Sequence, residues 1–305
     1  MMKPIVKKLL TVAFATFAVS VGPAAAALNI LACEPEWAAL ATEIAGDKAT
    51  VTSATTALQD VHRIEARPSL IARARSADLV ICTGSELEIG WLPLLITQSG
   101  NARIQPGSPG YLEASQLVAK LDIPKSVDRS MGDIHPGGNP HIHTDARNYI
   151  KVAEVLTERL VRLDAANAET YLARHKAFVE RWRAAIARWE QQAAPLKGVR
   201  VVVYHKDSTY LLNWLGMKEA ASLEPKPGIP PTPGHLAELL KQMEREPAKM
   251  IIYSAYNDPK AAEFLSSRSK MPAVMLPYTV GGSDKAKDLF GLFDDTLARL
   301  LTGMK

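Results

Sequence analysis

Four of the seven histidines in this 305-residue chain lie just after strand-like segments or in a loop that runs into a helix. His62 follows one strand-like segment and His205 directly follows another, whereas His141 and His143 lie in a loop that runs into a helix. Imidazole is the commonest protein ligand for zinc, and three or four convergent donors are enough to form a site. Three separate segments therefore offer nitrogen donors for a metal ion.

The other three histidines carry weaker signals. His175 and His235 lie within helical patterns, and we expect them at the surface without a role. His135 lies in the loop sequence Gly-Asp-Ile-His-Pro-Gly. It either hands metal to the site or is merely solvated, and both interpretations stay open.

The composition excludes several classes of protein. Hydrophobic residues make up 47% and charged residues 22%, which rules out compositional disorder. The formal net charge of +4 comes without a dense basic run, and the aromatic residues, 6% of the chain, are scattered. The chain therefore has neither a track for a phosphate backbone nor a stacking surface for bases, and we expect no nucleic-acid partner.

Residues 1–27 have the pattern of a secretory signal peptide. Three lysines among the first eight residues precede an apolar run of about 13 residues, and small residues lead up to Leu28. We expect cleavage after Ala26 or Ala27 and a periplasmic mature protein. Residues 30–33, Ile-Leu-Ala-Cys, faintly resemble a lipoprotein acylation motif, but they fit better as the first strand of the mature domain.

Short strand-like segments alternate with helical patterns in two series along the chain. This alternation predicts an α/β fold with two lobes, each a parallel sheet flanked by helices, in which ligands bind at the carboxyl ends of the strands. We expect an N-terminal metal-binding lobe at residues 28–144, linking helices at residues 145–197 and a C-terminal metal-binding lobe at residues 198–305.

A long helix is predicted between the two series. Residues 164–194 contain almost no helix breakers and place four large apolar side chains on one face. A helix of about 30 residues, roughly 45 Å long, would run along both lobes as a stiff strut and allow only small lobe movements. Its apolar face consists of Phe178, Trp182, Ile186 and Trp189.

The two cysteines each lie at the end of a strand-like segment. Cys33 and Cys82 can form a disulfide in an oxidising compartment if the two strands are neighbours. The alternative is a pair of buried thiols, and the sequence does not decide between them.

Five segments together resemble the periplasmic metal-binding proteins of zinc and manganese ABC importers, the zinc-uptake or adhesin-lipoprotein family. The resemblance covers essentially the whole mature chain. It implies two α/β lobes joined by one long helix, a metal ion in the cleft, and His62, His141 and His205 as its ligands. The five segments are Asp60-x-His62-x-x-Glu65-x-x-Pro68-Ser69, Asp78 to Gly84 leading to Glu88, Asn139-Pro140-His141, Tyr204-His205, and Glu224 to Pro231.

The resemblance also bears on which metal is bound. Manganese-type members usually have a carboxylate at the position of His205, and three nitrogen donors suit Zn²⁺ better than Mn²⁺. His143 falls where many members have an aromatic residue, so we expect it beside the site or exposed.

The chain departs from the family pattern at the fourth ligand. The usual ligand is an aspartate just before a proline in the last strand, but Leu276 precedes the proline here. Water, Asp284 and Glu224 remain candidates, and Asp207 is less apt because it follows His205 too closely. The chain also lacks a long histidine-rich loop.

The function that the sequence favours is that of a monomeric periplasmic solute-binding protein, not an enzyme, which captures Zn²⁺ and delivers it to the membrane permease of an ABC importer. One alternative is the same role for Mn²⁺ or another divalent metal. Another is a secreted zinc hydrolase, although the sequence contains no His-Glu-x-x-His motif and no clear general base. A third is binding of a ligand such as a metal chelate.

Overall fold

Two parallel β-sheets frame the structure, a computed structural model that describes residues 27–305. The predicted signal peptide lies outside the described residues, apart from the last one. The α/β architecture predicted from the sequence is confirmed. Among the described residues, no helix has the combined length and apolarity needed to cross a membrane.

The first sheet has the strand order β2-β1-β3-β4. Its central strands, β1 and β3, are almost fully buried because helices cover both faces. Alternate side chains of these strands face helix α1 on one side and helices α2 and α3 on the other. The elements are β1 (Leu28–Ala32), α1 (Pro35–Ala45), β2 (Ala49–Ser53), α2 (Pro68–Ser76), β3 (Leu79–Cys82), α3 (Leu92–Ser99) and β4 (Tyr111–Glu113).

Two helices link this sheet to the second one: α4 (Asn148–Leu163) and α5 (Ala168–Gln192). The 25 residues of α5 span about 37 Å at 1.5 Å per residue, which is shorter than predicted. Asp164 directly follows α4, and its carboxylate accepts hydrogen bonds from the side chains of Asn167 and Tyr171. These bonds stabilise the turn between α4 and α5. The four apolar side chains predicted on one face are buried: Phe178, Trp182, Ile186 and Trp189.

The second sheet repeats the order of the first, as β6-β5-β7-β8. The strand order changes direction between β1 and β3 in the first sheet and between β5 and β7 in the second. Ligands of such sheets bind in a crevice at the carboxyl ends of these strands. The elements are β5 (Arg200–Val203), α6 (Thr209–Leu215), β6 (Lys218–Ser222), α7 (Pro233–Arg245), β7 (Met250–Ser254), α8 (Lys260–Ser269), β8 (Ala273–Leu276) and α9 (Leu289–Gly303).

One hydrophobic core continues beneath both sheets. It contains side chains of β1 and α1 from the first half, of α4 and α5, and of β5 and α9 from the second half. The Trp182 ring on α5 lies 5.3 Å from the Tyr149 ring on α4 and 5.6 Å from the Phe293 ring on α9, centroid to centroid. Helix α5 therefore joins the two halves through aromatic contacts.

The sequence did not predict two of the edge strands, β4 and β6. Strand β4 has three residues, and β6 reads Lys-Glu-Ala-Ala-Ser without a fully buried position. An edge strand has a neighbour on one side only and need not carry an apolar run, so the pattern that reveals central strands is missing.

The structure pairs the two cysteines in a disulfide. Cys33 directly follows β1 and Cys82 ends β3, and these neighbouring strands bring the two Cα atoms to 4.8 Å. Both residues are buried. The bond ties together the carboxyl ends of the two central strands of the first sheet.

Replacing both cysteines with alanine should lower the free energy of unfolding by about 2–4 kcal/mol, because the bond constrains an unfolded loop between positions 49 residues apart. Urea unfolding of the variant and of the oxidised parent measures the difference. The parent treated with a reductant should lose a similar amount. Equal unfolding midpoints for the oxidised and reduced parent would contradict the prediction.

Candidate metal centre

Three imidazoles meet between the carboxyl ends of the two sheets. His62, His141 and His205 each offer a donor atom, and these atoms all lie within 4.8 Å of one another. The ring centroids are 5.4 to 5.8 Å apart. Two of the rings come from the first half of the chain and one from the second, so an ion bound to all three would bridge the lobes.

His62 lies in a short turn after β2, and the side chain of Asp60 caps this turn. One oxygen of Asp60 accepts the backbone N–H of His62 at 3.0 Å and lies 2.8 Å from its Nδ1 atom. Burial acts to raise the pKa of Asp60, but the hydrogen bonds from His62 outweigh it and the pKa lies below its ordinary value. The ionised carboxylate favours a proton on Nδ1. The Nε2 atom, buried and without a hydrogen-bond partner, is left for a metal.

His141 is buried in the loop before α4, and Asn139 fixes its backbone. The side-chain oxygen of Asn139 accepts the backbone N–H of His141 at 3.0 Å, and its amide donates to the Lys206 carbonyl in the other half at 2.8 Å. The Tyr278 hydroxyl lies 2.9 Å from Nδ1 of His141. Burial, followed by the charge of nearby His205, lowers the pKa of His141 well below its ordinary value. His141 is therefore neutral at pH 7.

His205 lies two residues after the end of β5, and its ring contacts the carboxylate of Glu224. Oxygen Oε2 of Glu224 lies 2.6 Å from Nδ1 of His205 and also accepts the backbone N–H of Gly228 at 2.9 Å. Burial acts to lower the pKa of His205, but Glu224 and the charge of Asp207 outweigh it and raise the pKa above its ordinary value. Glu224 thus orients the His205 ring, which argues against Glu224 as the fourth metal ligand.

The other carboxylates considered as ligands face elsewhere. Asp284 lies exposed in the turn after β8. Asp207 is buried, but one of its oxygens accepts the hydroxyls of Ser254 at 2.5 Å and Tyr256 at 3.0 Å. Leu276, where the resemblance would place an aspartate, is a buried apolar side chain at the end of β8.

A fourth imidazole lies beside the cluster. The His135 ring centroid is 5.5 Å from that of His62 and 6.5 Å from that of His141. Its Nε2 atom is buried without a hydrogen-bond partner. Burial, followed by the charge of His62, lowers the pKa of His135 to about 4, so the ring is neutral at pH 7. The loop composition around His135 gave no signal for the direction in which the ring points.

His143 lies buried on the far side of Tyr278, where the sequence gave no hint of other ionisable groups. Its ring centroid is 4.7 Å from that of Tyr278, and its Nδ1 atom lies 3.3 Å from an oxygen of Glu36. Two more glutamates, Glu34 and Glu88, are buried in the same region. Burial raises the pKa of Glu34 well above its ordinary value and that of Glu88 to about 7. The sequence reveals none of this because burial of a single glutamate leaves no local pattern.

The two histidines expected to have no role lie outside the cluster. His235, on α7, has its Nε2 atom 2.9 Å from the Ser222 carbonyl. His175 lies on α5 and is partly buried.

The sequence matches a family model over residues 30–303; its description is zinc-uptake complex component A, periplasmic. Two curated relatives are similar over most of their length. A manganese ABC transporter substrate-binding lipoprotein of Streptococcus gordonii is 22% identical over 266 residues, which cover 86% of this chain and 83% of the relative. A high-affinity zinc uptake system protein of Paracoccus denitrificans is 24% identical over 280 residues, which cover 80% and 79%.

Solved structures share the fold. The cadmium-bound periplasmic metal-binding protein of Candidatus Liberibacter asiaticus superposes with a TM-score of 0.72 at 18% identity. The match covers 90% of this chain and 99% of the other. At this identity the likeness concerns the fold, including two sheets joined by a long helix.

The Glu224→Gln variant should bind metal about 10–100-fold more weakly, because an amide cannot hold the Nδ1 proton of His205 as a carboxylate does. Titration of the metal-free variant with zinc against a competing chelator measures the loss. The matched control is Glu219→Gln, which removes a surface carboxylate bound to the Lys206 ammonium and should leave the affinity unchanged. Equal affinities for the two variants would refute a role for Glu224.

Proposed function

Because the chain belongs to the family of periplasmic component A proteins of zinc-uptake complexes, we propose that it captures Zn²⁺ with His62, His141 and His205 and delivers the ion to an ABC-type membrane permease. The family consists of metal-binding, substrate-binding proteins of importers, so the chain is a transport protein and not an enzyme. The observation that carries the proposal is the convergence of three imidazoles, each with a hydrogen-bonding partner at Nδ1.

The donor set favours zinc over manganese. The relatives differ in the metal that their names state, so the argument for zinc rests on the side chains present here. Imidazole nitrogens suit Zn²⁺, whereas Mn²⁺ prefers carboxylate, carbonyl and water oxygens. The three converging donors are all nitrogens.

Charges behind the imidazoles support capture of a divalent cation. Neutral imidazoles leave the full double charge on a bound ion, and burying that charge is costly unless anions lie nearby. Asp60 and Glu224 each place a carboxylate within hydrogen-bond distance of a ligand ring. They offset the charge without occupying a coordination position.

We place the protein in the periplasm as a monomer, after removal of the signal peptide. The disulfide between Cys33 and Cys82 supports this location, because such bonds persist in oxidising compartments and are rare in the cytosol. The family description also states a periplasmic location.

The metal-free protein should bind one Zn²⁺ per chain, and alanine at His62, His141 or His205 should each weaken binding by more than about 100-fold. Loss of a direct ligand should exceed the effect of losing an outer hydrogen-bond partner, which is typically about 10–100-fold. Isothermal titration calorimetry with a competing chelator measures the affinities. His235→Ala and His175→Ala are the controls and should match the parent. A His205→Ala variant with parental affinity would remove the second lobe from the site.

Zinc affinity should fall as the pH falls, because a protonated imidazole cannot coordinate. The pKa of His205 lies above its ordinary value of about 6.5, so zinc displaces a proton from His205 below that raised pKa. The affinity should then drop roughly tenfold per pH unit for this group alone. Chelator competition from pH 8 to pH 5 measures the profile, and a flat profile would contradict the assignment of His205.

A further inference from the structure

We propose that His135 is the fourth metal ligand and that the segment of residues 128–138, which crosses from one lobe to the other, supplies it. This inference rests on the proposed function of zinc capture. Three imidazoles leave one tetrahedral position open, and a fourth imidazole lies beside the cluster, with its ring centroid 5.5 Å from that of His62.

The position of the His135 ring is the first argument. It lies beside both donors of the first lobe, with centroid distances of 5.5 Å to His62 and 6.5 Å to His141. His135, His141 and His205 line one cavity of about 170 Å³. The Nε2 atoms of His135 and His62 are both buried without a hydrogen-bond partner, a costly arrangement for polar atoms unless a ligand satisfies them.

The attachment of the segment is the second argument. At one end, the backbone N–H of Asp133 donates to the Pro227 carbonyl of the second lobe at 2.7 Å, and the Lys226 ammonium donates to the Ser130 carbonyl at 2.6 Å. Gly132 makes this close approach possible, since a Cβ atom there would collide with the Pro227 carbonyl. The segment is thus anchored to the second lobe just before His135.

The other end is anchored to the first lobe. Directly after the segment, the backbone N–H of Asn139 donates to the Leu121 carbonyl at 2.8 Å, and within it the N–H of Gly138 donates to the His135 carbonyl at 3.0 Å and closes a turn. Gly138 has a φ of 95°, a conformation that side chains disfavour. His135 is therefore held between two attachment points instead of lying at the tip of a free loop.

The third argument is that the nearby carboxylates are engaged elsewhere. Asp60 and Glu224 hold the Nδ1 atoms of two ligands, and Asp207 accepts hydroxyl groups. Leu276 offers no donor at the end of β8. A site completed by His135 consists of four imidazoles, and that set disfavours Mn²⁺ more strongly than three imidazoles and a carboxylate would.

The decisive comparison is between His135→Ala and Ile134→Ala, which alters the neighbouring residue of the same segment without removing a donor. His135→Ala should still bind one Zn²⁺ but more than about tenfold more weakly than the parent. With Co²⁺ as the probe, its visible absorption should shift, because a water oxygen replaces a nitrogen ligand. Ile134→Ala should keep the parental affinity and spectrum.

A gain-of-donor variant provides a second test. His135→Asp places an anionic oxygen near the metal, so its affinity for Mn²⁺ should exceed that of His135→Ala. Thermal melting of the metal-free variants checks that each is folded. Equal Mn²⁺ affinities for the two folded variants would count against the inference.

Failure of this inference and failure of the proposed function give different results. Parental zinc affinity with an unchanged Co²⁺ spectrum in His135→Ala would exclude His135 as a ligand and leave zinc capture by the other three histidines intact. Equal losses in His135→Ala and Ile134→Ala would show a structural role for the segment and also overturn the inference. A parent protein that binds no zinc would defeat the proposed function itself.

Discussion

A neutral imidazole offers the lone pair of Nε2 to a metal when its proton lies on Nδ1, so the partner at Nδ1 orients each candidate donor of the cluster. Asp60, Tyr278 and Glu224 lie at these positions. They follow β2, β8 and β6, which are edge strands of the two sheets. The segments that follow the edge strands thus carry the groups that orient the rings. The central strands lie in the core of each lobe.

In the same arrangement, the negative charges lie on residues other than the candidate metal donors. The carboxylates of Asp60 and Glu224 lie behind the rings of His62 and His205, so they would offset the charge of an ion bound to those rings while the donors stay neutral nitrogens. Behind His143, Glu34, Glu36 and Glu88 are buried, one oxygen each of Glu34 and Glu36 has no hydrogen-bond partner, and burial raises the pKa of Glu34 and of Glu88.

The sequence predicted the parts of the fold that depend on local pattern. Central strands such as Leu79–Cys82 are continuous apolar runs, and the buried face of α5 repeats with helical period, so both were visible. The edge strands β4 and β6 carry no such pattern. His62 and His205 were recognisable because they follow strands, but their role as ligands stays a prediction. The orientation of His135 and the position of Glu224 depend on contacts between distant segments, which spacing along the chain does not encode.

The core that continues beneath both sheets has a consequence for how the chain folds. Side chains of α9, such as Phe293 and Leu297, belong to the same cluster as Trp37 of α1 and Trp182 of α5. The core shared by the two halves is therefore complete only once α9 has been synthesised. Unfolding of one lobe is therefore expected to destabilise the other through this shared core, although the sheets themselves are separate.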